Sequence, residues 1–175
     1  MTGDVRDDRR RLLVLRHAKA EAVAASDHAR RLTGRGRQDA AEAGRWARES
    51  GLVPDHAVVS DAARAQETWE AFRDGAGITV EAELVAGLYP AGTDAALEIL
   101  RTAPEDATTL LVVGHNPTMA QLVHLLDDGN AEPEAFAAIS AGFPTSALAV
   151  LEVESLWSDL DFGGARISGF HVGRG

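Results

Sequence analysis

The sequence predicts an α/β protein, a three-layer α/β/α sandwich with a mostly parallel central sheet, and three observations carry that expectation. Short apolar, β-branched runs recur along the chain, each followed by an amphipathic segment, which is the pattern of strand–helix alternation. The runs are nearly continuous in hydrophobicity rather than alternating, as expected for strands covered on both faces. Finally, 175 residues, 45% hydrophobic and 25% charged, suffice for one domain with its own core and are too few for two comfortable ones.

The elements follow in order. Residues 1–10 are charged and lack an apolar run, so they are expected to form a flexible N-terminus, not a secretory signal. A single domain over 11–175 is expected to follow. Leu12-Leu13-Val14-Leu15 reads as the first strand. Ala40, Ala43, Gly44 and Ala47 then give the i, i+3, i+4, i+7 face of a helix that Gly51 and Pro54 stop. Ala57-Val58-Val59-Ser60 is the second strand, with Ala65, Thr68, Trp69 and Phe72 as the next helical stripe. A short strand is expected at 78–80, then a helix showing Ala96, Ile99, Leu100 and Ala103. Leu110-Leu111-Val112-Val113 is the fourth strand. After it Asn116 suits an N-cap and Pro117 the first helical position, ahead of an apolar face of Met119, Leu122, Val123 and Leu126. Residues 147–153 give a fifth strand and 166–172 a sixth at an edge, while 127–134 and 161–165 read as surface connections.

Composition removes several classes of function. With no cysteine there is no disulfide framework, thiolate zinc site or cysteine nucleophile. No apolar run approaches the roughly 18 residues of a membrane span, so a soluble, cytoplasmic protein is expected. A net charge of −10 argues against nucleic acid and anionic membrane as partners. The charge is uneven, however. Residues 1–48 hold 12 of the 17 Lys and Arg but only 7 of the 27 Asp and Glu, which suits a local site for an anionic substrate.

In such folds ligands gather at the carboxyl ends of the parallel strands. The first strand ends in Arg16-His17, the second in Ser60 with Arg64 one turn further on, and the fourth in Gly114-His115-Asn116-Pro117. Two histidines and two arginines at separate strand ends have no cheap packing explanation, because clustered cations need an anionic partner. Guanidinium forks fit phosphate oxygens, and imidazole is a competent nucleophile or acid.

These residues also form a known pattern. Leu15-Arg16-His17-Ala18-Lys19-Ala20-Glu21 resembles the Arg-His signature of the histidine phosphatase (phosphoglycerate-mutase-like) superfamily, and its Arg-His-Ala form resembles the SixA-type phosphohistidine phosphatases. The resemblance continues through Asp27, Arg30, Leu32, Thr33 and Gly36, then Ser60, Ala62, Arg64, Ala65 and Thr68. It closes with Gly114-His115-Asn116-Pro117 and Phe143-Pro144-Thr145. The blocks keep the family's order and spacing from about residue 11 to 157; Arg31 and Asp61 stand where the family often has proline.

The resemblance implies a phosphoglycerate-mutase-like fold and a phosphatase in which His17 carries the phosphoryl group covalently. Arg16, Arg64 and His115 would surround the phosphoryl oxygens. No metal or other cofactor is expected, because side chains supply the positive charge. Glu83 is the leading candidate for the general acid and Glu81 the second; Arg30 and Lys19 would widen the positive field at the mouth. His28, His56, His124 and His171 read as structural or surface, and Trp46, Trp69 and Trp157 as core. Only about 50 residues separate Arg64 from His115, and predicted elements consume nearly all of them. The site is therefore expected to be open and to favour a phosphorylated protein, phosphohistidine first. The alternatives are a small-molecule phosphomonoesterase or mutase of the same superfamily, a non-catalytic phosphate-binding module, and a metallohydrolase using His17 and His115. The expected oligomeric state is a monomer.

Overall fold

A computed structural model describes residues 9–175. The expected flexible segment 1–10 thus lies outside the described residues except for its last two, and Arg10 already opens the first strand. A six-stranded sheet forms the middle layer, from β1 (Arg10–Arg16), β2 (His56–Ser60), β3 (Glu83–Val85), β4 (Thr109–Gly114), β5 (Ala147–Val153) and β6 (Ala165–Val172) in the order β3-β2-β4-β1-β5-β6. The first four strands are parallel, and β5 and β6 complete one side antiparallel.

The period-2 alternation of strand side chains divides the core. Leu13, Leu15, Val59, Leu111 and Val113 face α1 (Gly34–Glu49) and α2 (Ala63–Ala76). Leu12, Val14, Val58, Leu110 and Val112 face α3 (Thr93–Arg101) and α4 (Thr118–Leu126), with α5 (Pro133–Ala141) beside them. Helices α1 and α2 meet at backbone distance. A Cβ on Gly44 would stand 2.1 Å from the Phe72 carbonyl oxygen, and one on Gly75 2.0 Å from that of Ala41. No side chain larger than hydrogen fits at either position.

The third strand lies further along than expected. Ile78 and Val80 do not pair; they pack half-buried against the α2 side of the core, and pairing begins at Glu83. Gly77, at φ 65°, ends α2 in the left-handed region and sends the chain back along that helix before it reaches the sheet edge. Helix α4 begins at Thr118 with Pro117 as the capping position, later than the expected Asn116 cap, although Asn116 Oδ1 still accepts the Ala120 N–H at 3.3 Å. Helix α5 was not expected, and it consumes the end of the predicted 127–134 loop. It buries only Ala135 and Ile139, too few to print a helical stripe, and is started by Pro133 and by Glu132, whose side chain accepts the Ala135 N–H. Trp69 and Trp157 are buried as expected, whereas Trp46 is half-exposed and stacks on His171, 4.5 Å between ring centroids.

Candidate active site

The strand register sets the site. Arg16 pairs with Gly114 and Val59 with Val113, so β1, β4 and β2 end side by side and place His17, His115 and Ser60 next to one another. Arg64 joins them from the first turn of α2. The structure brings Arg16, His17, Arg64 and His115 together, with the two imidazoles 5.4 Å apart.

His17 is fixed on every side. Its N–H donates to the Gly114 carbonyl at 3.1 Å, and its own carbonyl accepts the Ser146 N–H at 3.2 Å. Ser146 has φ 61°, a conformation unusual for a residue with a side chain. The ring Nδ1 donates to the Ala18 carbonyl at 2.8 Å, and the Ala18 N–H donates to Thr68 Oγ1 at 2.9 Å. With Nδ1 committed as donor, Nε2 keeps its lone pair. Burial pushes the His17 pKa down to about 3, with the nearby His115, Arg64 and Arg16 acting in the same direction and the Ala18 hydrogen bond opposing. The ring is therefore neutral at physiological pH, as a nucleophile must be.

The groups around it are donors short of acceptors. Arg64 is 5% exposed, and its Nε has no partner. Arg16 gives Nη1 to the Phe143 carbonyl at 3.1 Å, while its buried Nε is likewise unpartnered; burial lowers its pKa. Asn116 Nδ2 donates to the same carbonyl at 2.8 Å. Ser60 Oγ accepts the Ala62 N–H at 3.3 Å and lies 2.8 Å from His115 Nε2, its other hydrogen-bond partner among the described residues. In the tautomer in which Nε2 accepts the Ser60 hydroxyl proton, Nδ1 of His115 carries the ring hydrogen, and it too is buried without a partner. Burial first, then Arg64, lowers the His115 pKa to about 4. Buried donors are almost always satisfied in folded proteins. Three unsatisfied ones around a nucleophilic nitrogen form a socket for a group with several acceptor oxygens and negative charge.

The remaining predicted positions fall differently. Glu83 is not part of the cluster. It opens β3 with its side chain 59% exposed, and its carboxylate faces His56 at 3.5 Å, at the opposite end of β2 from Ser60. A strand at 78–80 would have put residue 83 beyond a carboxyl end; the true strand starts there. Glu81 is exposed and pairs with Arg73 at 3.7 Å. Lys19 is exposed, and its carbonyl accepts the Thr33 N–H. Arg30 reaches the mouth but is tied to Asp27 Oδ1 at 3.0 Å and to the Glu21 carbonyl.

Three residues at the mouth have no role in the expected site: Asp27 enters only as part of the family motif, His28 as structural or surface, and Tyr89 not at all. Asp27 accepts from Arg64 through its carbonyl (2.8 Å) and Oδ2 (3.1 Å), and the Tyr89 hydroxyl donates to the same Oδ2. The Tyr89 ring stands edge-on to both His115 and His28. His28 in turn bonds Asp61 at 2.8 Å. The two departures from the family pattern thus have local partners, Asp61 in His28 and Arg31 in Glu67, 2.6 Å away. For Asp27 the available signal was its place in the family motif; Tyr89 carried none. Among the described residues no three His, Asp or Glu side chains converge as a metal site needs, and no helix is long and apolar enough to cross a membrane.

Comparison with known proteins agrees with this geometry. The family model of the histidine phosphatase superfamily (branch 1) matches residues 12–88. An uncharacterized protein of Mycobacterium tuberculosis is 38% identical over 162 residues, covering 91% of this chain and 100% of the relative. The phosphohistidine phosphatase SixA of Escherichia coli is 29% identical over 147 residues, 82% of this chain and 85% of the relative. A solved SixA structure from Nakamurella multipartitia superposes with a TM-score of 0.83 at 33% identity, covering 94% of this chain and 96% of that one.

Proposed function

Because the chain belongs to the histidine phosphatase superfamily, with SixA phosphohistidine phosphatases among its relatives and structural neighbours, we propose that it hydrolyses phosphohistidine in a protein through a covalent phosphohistidine on His17. The observation that carries this reading is the neutral, Nδ1-anchored His17 inside a ring of unpartnered buried donors. His17 Nε2 attacks phosphorus, and the bond to the leaving nitrogen breaks with its electron pair going to the substrate ring. Arg16, Arg64 and His115 hold the three phosphoryl oxygens and balance their charge, the dominant contribution in phosphoryl transfer. Water then attacks phosphorus, the bond to Nε2 breaks, and the nitrogen recovers its lone pair as phosphate departs. Since Arg16 and Arg64 supply the cationic charge and the neutral His115 a hydrogen-bond donor, the reading requires no metal.

A protein substrate is supported by the lack of a cover. Between α2 and β4 the described chain forms only β3, a short helical turn at Ala86–Leu88 and α3, so the segment adds Tyr89 to the rim and no roof. The test is a rapid quench into alkali after mixing with a protein labelled on phosphohistidine. A base-stable, acid-labile adduct on His17 is expected, formed equally in EDTA. Undiminished turnover by His17→Ala would overturn the covalent reading, and loss in EDTA with recovery on adding a divalent ion would overturn metal independence.

A further inference from the structure

Asp27 sits where an anion is least expected, at the outer rim of the cationic cluster in the loop between β1 and α1, its side chain 55% exposed. Its carboxylate is held by three donors: Arg64 Nη2 at 3.1 Å and the Tyr89 hydroxyl on Oδ2, and Arg30 Nε at 3.0 Å on Oδ1. The Tyr89 hydrogen bond first, then Arg30 and Arg64, keep the carboxyl well below the usual carboxylate range. A group that stays ionised at neutral pH has no proton to give, so Asp27 cannot serve as a general acid. It can, however, hold a proton on something else. A carboxylate offers about four acceptor positions, so one on Oδ1 is open beyond the three in use. Next to it a surface hollow of about 380 Å³ is lined by Ala22, Val23, Ala24, Ser26, Asp27 and Arg30.

We propose that Asp27 recognises the leaving group: it accepts a hydrogen bond from the non-phosphorylated ring nitrogen of the substrate's phosphohistidine and keeps that ring protonated while the phosphorus–nitrogen bond breaks. This rests on the phosphohistidine reading above. The accounting closes without a proton passing through Asp27. The protonated ring carries N–H on its remote nitrogen. His17 Nε2 forms the new bond to phosphorus, and the electron pair of the old bond returns to the other ring nitrogen. The ring departs as neutral imidazole, still bearing that N–H. A phosphate ester has no such N–H, so toward it Asp27 only adds negative charge beside the phosphoryl oxygens and competes for Arg64. Asp27 therefore sets preference for phosphoramidate over ester, and it explains how the site works with no carboxylic acid among the residues that converge on it.

The experiment compares kcat/KM for free phosphohistidine and for p-nitrophenyl phosphate in the wild-type protein, Asp27→Asn, Asp27→Glu and Tyr89→Phe. Loss of a charged hydrogen bond to the ring should lower the phosphohistidine-to-ester ratio at least about tenfold in Asp27→Asn. Asp27→Glu should restore part of it, and Tyr89→Phe, which leaves the carboxylate in place, should keep most of it. Inorganic phosphate should inhibit Asp27→Asn at least as strongly as wild type, because Arg64 is freed; weaker inhibition would mean that Asp27 only scaffolds Arg64. An unchanged ratio in Asp27→Asn, whether both activities fall or neither does, overturns the proposal. If wild type cleaves the ester and never phosphohistidine, the substrate reading itself fails. Should Asp27→Asn not fold by circular dichroism, the Asp27→Glu and Tyr89→Phe ratios decide.

Discussion

The two ends of the central sheet are built from similar polar residues and treat them in opposite ways. At the amino ends of the parallel strands two carboxylates cap the backbone, although Arg10 Nε and His56 Nε2 are buried there without hydrogen-bond partners. Asp55 accepts both backbone N–H groups of Thr108 and Thr109 and the Thr108 hydroxyl, and Glu105 caps the N–H groups of Trp157 and Ser158. At the carboxyl ends the polarity is reversed, and the buried donors Arg16 Nε, Arg64 Nε and His115 Nδ1 are left without acceptors. The capping carboxylates hold the sheet together, and the donors gathered round His17 await a ligand. The difference teaches that charge alone does not mark the site. What marks it is unused hydrogen-bonding capacity that converges on one nucleophilic nitrogen.

Removing one of the waiting donors is the sharpest way to test this contrast. Arg64→Ala should lower kcat about 10²–10³-fold, the usual cost of losing one preorganised donor to a developing charge. Its melting temperature should fall only by what its two hydrogen bonds to the Asp27 carbonyl and carboxylate contribute, because the Arg64 side chain makes no other hydrogen bond among the described residues. Steady-state kinetics beside a thermal melt measures both. A variant with nearly normal kcat and a collapsed melting temperature would place Arg64 with the structural groups of the other end.

Acid should expose the same division. His17 has a native pKa of about 3 and His115 of about 4, against an ordinary value of about 6.5. Between those limits the unfolded chain binds protons that the folded one refuses, so stability falls as pH drops from 7 toward 4. For the buried His17 the loss between pH 7 and 5 is about 2 kcal/mol. His17→Asn should flatten this slope in denaturant titrations at several pH values. An equally steep slope would mean that the imidazole is not held neutral.

Most of the scaffold was legible in the sequence because its strands are buried on both faces and read as unbroken apolar runs. Helix α5 was not, since two buried residues make no stripe. The four converging residues were legible because parallel strands deliver whatever follows them to one edge. The anchors around them were not. Thr68 holds Ala18 through a hydroxyl and Ser60 holds His115 through another, and single hydroxyls carry no periodicity. Asp27 and Tyr89 come from separate loops, 62 residues apart in the chain, and nothing local in either loop announces that they meet. Glu83 was misplaced by a strand that starts later than its apolar residues suggest.

At the amino end, Asp55→Ala should cost about 1–2 kcal/mol, the price of leaving backbone donors of the β4 entrance uncapped. Activity per folded molecule should be unchanged, since Asp55 lies a full strand length from His17. Urea unfolding and kcat on the same preparation check it. A fall in kcat with unchanged stability would break the proposed division between the two ends.

The smallest effect should come from Glu83→Gln, and its smallness is informative. A carboxylate serving as general acid contributes about 10²–10⁴-fold on an ester substrate, where the leaving oxygen needs a proton. Glu83 instead stands at the start of β3, more than half exposed, with His56 as its neighbour. Surface pairs of this kind contribute between nothing and about 1 kcal/mol. Glu83→Gln should therefore change kcat/KM less than about twofold for both p-nitrophenyl phosphate and phosphohistidine. A large loss confined to the ester would show that β3 moves and delivers Glu83 to the site in the presence of substrate. Equal losses on both would show that the β3 edge supports the Tyr89 turn that follows it, Ala86–Leu88 lying between the two. With neither loss, Glu83 takes no part in protonating either leaving group.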